Sequence, residues 1–162
     1  MKKTRRLVYV LLISIMMSMF PVEANAAESN NDFQEVPKEQ INILTTSSAD
    51  SVLTLSDSSL TACELGIGIS SNGIGVTFIT TATTAATEIG CKDIVLQEKT
   101  ALGWKDITIR DHYDYDTDVY AGSVVYLKAV VGKTYRVYCT HYAIIDDVEY
   151  TLYNITDSIV YN

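Results

Sequence analysis

An all-β, antiparallel sandwich over residues 60–162 is the fold this sequence predicts, on three observations. From Leu60 onward, short runs rich in Ile, Val, Thr and Tyr alternate apolar with polar residues, as a pleated strand with one buried face requires. Turn-forming residues break these runs at short intervals, and no stretch carries apolar residues at helical spacing.

Taken in order, the chain starts with Lys2, Lys3, Arg5 and Arg6, an apolar run from Leu7 to Phe20 and the small-residue motif Ala24-Asn25-Ala26. That is the form of a secretory signal peptide, residues 1–26, cleaved after Ala26. The apolar run is shorter than the ~20 residues a bilayer span needs. The expected product is secreted and extracellular, with no membrane span. The remaining chain holds 8 Lys+Arg against 19 Asp+Glu, a net charge of -11. Such a surface repels phosphate, so no nucleic-acid partner is expected. Residues 27–59 are rich in Ser, Thr, Asn, Asp and Glu and read as a polar linker or loosely attached arm. Its apolar pieces, Ile41 to Leu44 and Val52 to Leu55, could each add a strand to a sheet edge.

Within residues 60–162, Cys63, Leu65, Ile67 and Ile69 share one parity and define a first strand that turns at Ser71-Asn72-Gly73. A second strand carries Ile74, Val76 and Phe78 and fades into a Thr and Ala stretch, 80–87, that reads as a crossing loop. A third, Cys91 to Glu98, pairs through a turn at Leu102-Gly103 with Trp104 to Ile107. The acidic stretch 111–118 reads as an exposed connection to a strand over 123–130. After a corner at Gly132, a strand runs from Tyr135 to Tyr142, turns at Asp146-Asp147 and returns along 148–153. About seven strands and no helix match an immunoglobulin- or fibronectin-III-like sandwich, in which a Tyr entering the penultimate strand bonds back to the preceding corner; Tyr135 is placed for that role. Trp104, opening a hairpin strand, is expected to cover the edge of the core.

The run Gly103-Trp104-Lys105-Asp106-Ile107 after Leu96-Gln97-Glu98-Lys99, followed by Gly132-Lys133-Thr134-Tyr135-Arg136-Val137 and His141-Tyr142-Ala143, resembles a family of small secreted domain-of-unknown-function proteins of Gram-positive anaerobes. Its members look like fibronectin-III or immunoglobulin sandwiches behind a signal peptide. The resemblance covers roughly Cys63 to the end and brings no agreed catalytic residues. This chain departs from the pattern at Cys139 and at Asp146-Asp147-Val148-Glu149, so no shared binding surface is carried over.

Three cysteines, Cys63, Cys91 and Cys139, leave one unpaired if a single disulfide forms in an oxidising exterior. Parity turns Cys63 and Cys139 inward and sets Cys91 against Ile94 and Leu96, which favours Cys63 with Cys139. The family resemblance instead implies Cys63 with Cys91, leaving Cys139 free or as an alternative partner of Cys63. The Cys63–Cys91 bond would close a loop of about 28 residues and contribute ~3 kcal/mol.

A zinc set of the three thiols with His141 lacks the short ligand spacings that mark such sites, and no metal or other cofactor is expected. Asp111, Asp114, Asp116 and Asp118 form a calcium candidate of the weaker kind, since Val119 and Val125 stand where an EF-hand needs Gly and Glu. His112 and His141 are the only histidines, and no Gly-x-Ser-x-Gly or His-Glu-x-x-His motif accompanies them. A Cys139–His141 dyad is disfavoured, because residues two apart on a strand stand ~7 Å apart by the per-residue rise. The sequon Asn154-Ile155-Thr156 is a glycosylation acceptor only in a suitable secretory pathway.

No enzyme is therefore expected. The reading that remains is a secreted non-catalytic module whose end loops bind an extracellular protein or glycan. A structural or assembly module of the cell surface is the alternative; a small hydrolase or metal-dependent protein stands behind it.

Overall fold

The computed structural model describes residues 32–49 and 59–162. The signal peptide and cleavage site expected at residues 1–26, together with Val52 to Leu55, lie outside these residues. Among the described residues eleven strands form two antiparallel sheets: β1 (Phe33–Glu35), β2 (Ile41–Ala49), β3 (Leu60–Ser70), β4 (Gly73–Ala86), β5 (Glu88–Thr100), β6 (Gly103–Thr108), β7 (His112–Asp114), β8 (Thr117–Tyr126), β9 (Thr134–Ile145), β10 (Val148–Ile155) and β11 (Ile159–Val160). One sheet has the order β1-β8-β4-β3-β2 and the other β10-β9-β5-β6, with β7 on β5 and β11 on β9. No helix among the described residues is long and apolar enough to cross a membrane.

Alternation drives the layering. Leu65 and Ile67 of β3, Ile74, Val76 and Phe78 of β4, Leu96 of β5 and Val137 of β9 are buried in one core between the sheets. At about 25 cal/mol per Å² of apolar surface, each such side chain contributes roughly 1.5–3 kcal/mol, and together they offset the entropy of ordering the strands. A smaller cluster of Leu60, Cys63, Ala82, Ala86, Ile89 and Ala143 continues the core toward one end.

The seven strands read from the sequence correspond to β3, β4, β5, β6, β8, β9 and β10. Four more are added. Residues 33–35 and 41–49, placed in a linker by their composition, are strands: β1 pairs with β8 and β2 with β3. Ile41 is buried there, so modest apolar content sufficed once a sheet edge offered backbone partners. The crossing loop expected over 80–87 shrinks to a single residue. β4 runs on to Ala86, with a register irregularity after Thr81, and Thr87 donates its N–H to Ile144 O at 2.8 Å as the chain passes to the second sheet.

Turns follow local chemistry. Asp146 and Asp147, both with positive φ (52° and 61°), make the two-residue connection from β9 to β10, a conformation Asp tolerates through its short polar side chain. At the corner before β9, the Val130 N–H donates to Tyr135 Oη at 2.9 Å, and that hydroxyl donates to Glu98 at 3.1 Å. Trp104 is half-buried on β6, with Lys99 and Arg136 cations 4.9 Å and 4.2 Å from its ring centre. Those contacts place it on the sheet's polar outer surface, not over the core.

Candidate functional site

One irregularity decides the chemistry of the interior. Between Lys92 and Val95 the pairing of β5 with β9 slips, and Asp93 takes φ 52°. This bulge inserts an extra residue, so Cys91, Ile94 and Leu96 are all buried, where strict alternation would have turned Cys91 outward. The Asp93 N–H released by the bulge donates to Asp111 Oδ1 at 3.0 Å. Asp111, a candidate calcium ligand by sequence, thus serves the backbone.

Cys91 now faces inward beside His141, its direct partner on β9, and on its other side pairs with His112 of β7. Side chains of directly opposed residues share a face, which makes His112-Cys91-His141 a row across three strands. Cys139 joins from two residues earlier on β9. Ligand atoms of Cys91, Cys139 and His141 lie within 4.8 Å of one another, and all three residues are 0% exposed. The ~7 Å separation expected for Cys139 and His141 holds for the backbone, whereas the side-chain tips converge near Cys91.

Thr80 of β4 closes the cluster from the opposite sheet. Its hydroxyl donates to Gly90 O at 3.0 Å and meets His141 Nδ1 at 2.7 Å and Cys91 Sγ at 3.4 Å; Cys91 Sγ is 3.2 Å from the same nitrogen. Having given its proton to Gly90, Thr80 accepts from His141 Nδ1–H. His141 Nε2 is buried with no hydrogen-bond partner. Burial opposes ionisation of Cys91, but hydrogen bonds from Cys139 and His141, the His141 charge and Thr80 outweigh it, and the thiol is lowered from its ordinary 9.0. Cys139 is raised as the donor in that pair and by burial. Cys63, nearby but outside the group, is pushed up to about 12 by burial.

All three cysteines are free thiols. The disulfide implied by family resemblance, Cys63 with Cys91, is not formed, and neither is Cys63 with Cys139. The parity argument missed the bulge, and the thiol that approaches Cys91 belongs to Cys139. The acidic stretch lies at the surface. Asp111, Asp114, Asp116 and Asp118 are exposed; among the described residues only the Cys91, Cys139 and His141 group brings three potential ligands together. Asp114 accepts from the next N–H, of Tyr115, at 2.8 Å, and Asp116 occupies a positive-φ turn position (53°). That stretch shares one end of the sandwich with the 86–89 and 143–147 connections, since Ile89 pairs with both Asp114 and Ala143.

On the outer side of His112 a cleft of about 480 Å³ opens, lined by residues 35–38, His112 and 120–123. β1 builds one wall: Val36 N–H donates to Ser123 O at 3.3 Å, and Ser123 Oγ returns a bond to Val36 O. Glu35 pairs with Arg110 and lies 3.9 Å from His112 Nδ1. His112 is lowered from 6.5, by burial first and then by Arg110, against the pull of Glu35 and Asp111. Tyr120, pushed up to about 12 chiefly by burial, stacks with Phe78 at 6.1 Å, and Phe78 also meets the His112 ring at 5.0 Å. Sequence reasoning missed Glu35 and Lys38 because that wall comes from the arm, whose apolar Ile41 to Leu44 was its one signal, and missed Tyr120 because β8 starts at Thr117, ahead of the strand expected over 123–130. The sequon is closed as well: Asn154 is buried, and its amide donates to Ser47 O at 3.0 Å and Cys63 O at 3.3 Å.

Comparison with protein-family models, with curated proteins and with solved structures found no match to this chain.

Proposed function

We propose that the protein is a secreted, non-catalytic sandwich module that binds an extracellular glycan or protein at the cleft beside His112. The observation that carries this reading is the cleft itself. About 480 Å³ is the size that takes a sugar unit or a short peptide stretch. Its wall offers a carboxylate at Glu35, an ammonium at Lys38, hydroxyls at Ser123 and Tyr120 and the imidazole of His112, a donor and acceptor set suited to a ring of sugar hydroxyls. Tyr113 and Tyr115, 47% and 57% exposed and in edge contact at 5.5 Å, add aromatic surface on the same strand and turn.

A non-catalytic role is supported by the burial of the thiol–imidazole contact: Cys91 is 0% exposed, and a nucleophile must reach its substrate. Export rests on the leader at residues 1–26. Kinship with the small secreted family, and the immunoglobulin or fibronectin-III type, belong to the same proposal. In their support, β3-β4-β8 against β10-β9-β5 reproduces an A-B-E and G-F-C arrangement, and Tyr135 bonds back to its corner. An assembly role is the second reading, favoured by β2, which ends its sheet with Leu44 exposed.

Glycan-array and calorimetric screening of the full chain against Lys38→Ala and Tyr120→Ala tests the reading. Binding that weakens at least about tenfold in both variants is expected, a loss of ~1.4 kcal/mol each. Ligand binding unaffected by either change would overturn the cleft as the site.

A further inference from the structure

We propose that Cys91, Cys139 and His141 form a site for one thiophilic d10 metal ion, zinc or monovalent copper, held by two thiolates and an imidazole. The inference stands apart from the cleft and does not depend on it.

Donor type carries the choice of metal. Sulfur and imidazole select zinc and copper(I), whereas calcium and magnesium need several oxygens. Geometry is close to what such an ion requires. With metal–sulfur near 2.3 Å and metal–nitrogen near 2.0 Å, tetrahedral donors stand ~3.6 Å apart. Cys91 Sγ and His141 Nδ1 are 3.2 Å apart, and the three ligand atoms fall within 4.8 Å of one another. The Cys91–His141 pair opens by a few tenths of an ångström, and Cys139 closes by about an ångström at most. Thr80 Oγ1, 3.4 Å from Cys91 Sγ, stands within reach as a fourth, oxygen donor for zinc.

Thr80 adds a second observation. Its Oγ1 stands 2.7 Å from the same His141 Nδ1 and directs its own proton to Gly90 O, so an oxygen lone pair faces the point between the two thiols and the imidazole. With Nδ1 on the ion, the imidazole carries its proton on Nε2. Charge also balances: two thiolates neutralise a zinc ion in a region closed to water. Binding releases the two thiol protons to solvent, and nothing is oxidised or reduced. The ion would enter during folding, or by opening of the thin wall made by His112 and Tyr120, which pair directly with Cys91 and Thr80.

The test uses the full chain, reduced and freed of metal, titrated without oxygen with cobalt(II) as a spectroscopic probe, then with zinc, and separately with copper(I) against a competing chelator. Uptake of a single cobalt ion per chain with intense sulfur-to-cobalt charge-transfer absorption, bleached by zinc, is expected, and the copper arm shows which ion wins. Cys91→Ser and Cys139→Ser each lose most of that absorption, while Cys63→Ala keeps it. Circular dichroism of each metal-free variant reports whether it folded. If one does not, protection from alkylation decides in the unmutated chain, where the ion shields Cys91 and Cys139 but not Cys63. No uptake by the folded, fully reduced chain overturns the proposal. So does uptake that survives both serine variants, or a Cys91–Cys139 disulfide in freshly isolated protein that, once reduced, takes up no metal.

Discussion

Two groups of potential ligands in this molecule behave in opposite ways. Asp111, Asp114, Asp116 and Asp118 are close in sequence and exposed, spread from the residue before β7 to the start of β8. Cys91, Cys139 and His141 come from β5 and β9, between which the chain forms β6, β7 and β8, yet converge in the interior. Like charges stay in water because burying one unpaired is far costlier than leaving it solvated. Thiols and an imidazole that hydrogen-bond to one another can be drawn inward by cross-strand pairing. Closeness in sequence is thus a poor guide to a ligand set in a sheet, where neighbours are made across strands. Asp111 joins the two groups, since its carboxylate holds the bulge that turns Cys91 inward.

The comparison can be broken most strongly at Gly90. A Cβ there would sit 2.1 Å from His112 O, so Gly90→Ala should push β7 off β5 and cost about 2–3 kcal/mol in urea unfolding, disturbing both groups together. Thr80→Val comes next. It keeps shape but removes the oxygen acceptor of His141 Nδ1–H and leaves only Cys91 Sγ beside it, for an expected loss of about 1–2 kcal/mol by the same measurement. Asp111→Ala frees the Asp93 N–H and should cost roughly 1 kcal/mol. It should also speed alkylation of Cys91, read by peptide mass analysis, because the bulge that buries the thiol is loosened.

At the far end of the sandwich, Tyr135→Phe removes the bonds to Val130 and Glu98 and should cost about 1 kcal/mol. The effect should depend on pH. Burial, with Glu98 and Tyr126 adding to it against the Val130 bond, pushes Tyr135 from its ordinary 10.0 to about 12. The folded state therefore favours the protonated phenol. Its contribution is whole below pH 10 and is lost as pH rises through about 12. Alkaline unfolding of the Phe variant should be less steep, while Tyr120 and Tyr142, also raised, keep part of the slope. The smallest effect belongs to the acidic group: Asp114→Asn with Asp118→Asn should change stability by less than about 0.5 kcal/mol. Added calcium should leave the melting temperature of the parent chain where it was; a clear rise would restore calcium binding to that stretch.

Much of the fold could be read in advance. The parity of Cys63, Leu65 and Ile67, and of Tyr135, Val137 and Cys139, put the right side chains in the core, since alternation reports a local property of one strand. The same parity extended to His141, which is buried for that reason. The arm was harder to place, because Ser and Thr are indifferent to strand or coil until an edge supplies backbone partners for 33–35 and 41–49. The bulge at Asp93 was harder still: a single residue in a left-handed conformation leaves no periodic trace, and Asp is equally at home in a turn.

The sequence by itself determined that the chain forms strands, where most of them turn, and which face of each looks inward, because these follow from a two-residue period and from the preferences of individual turn residues. Only the tertiary structure decided which thiol meets which partner. That outcome depends on the register between β5 and β9 and on one slip within it. Register is set by the hydrogen bonding and packing of segments far apart in the chain, and one displaced residue reverses the side to which Cys91 points.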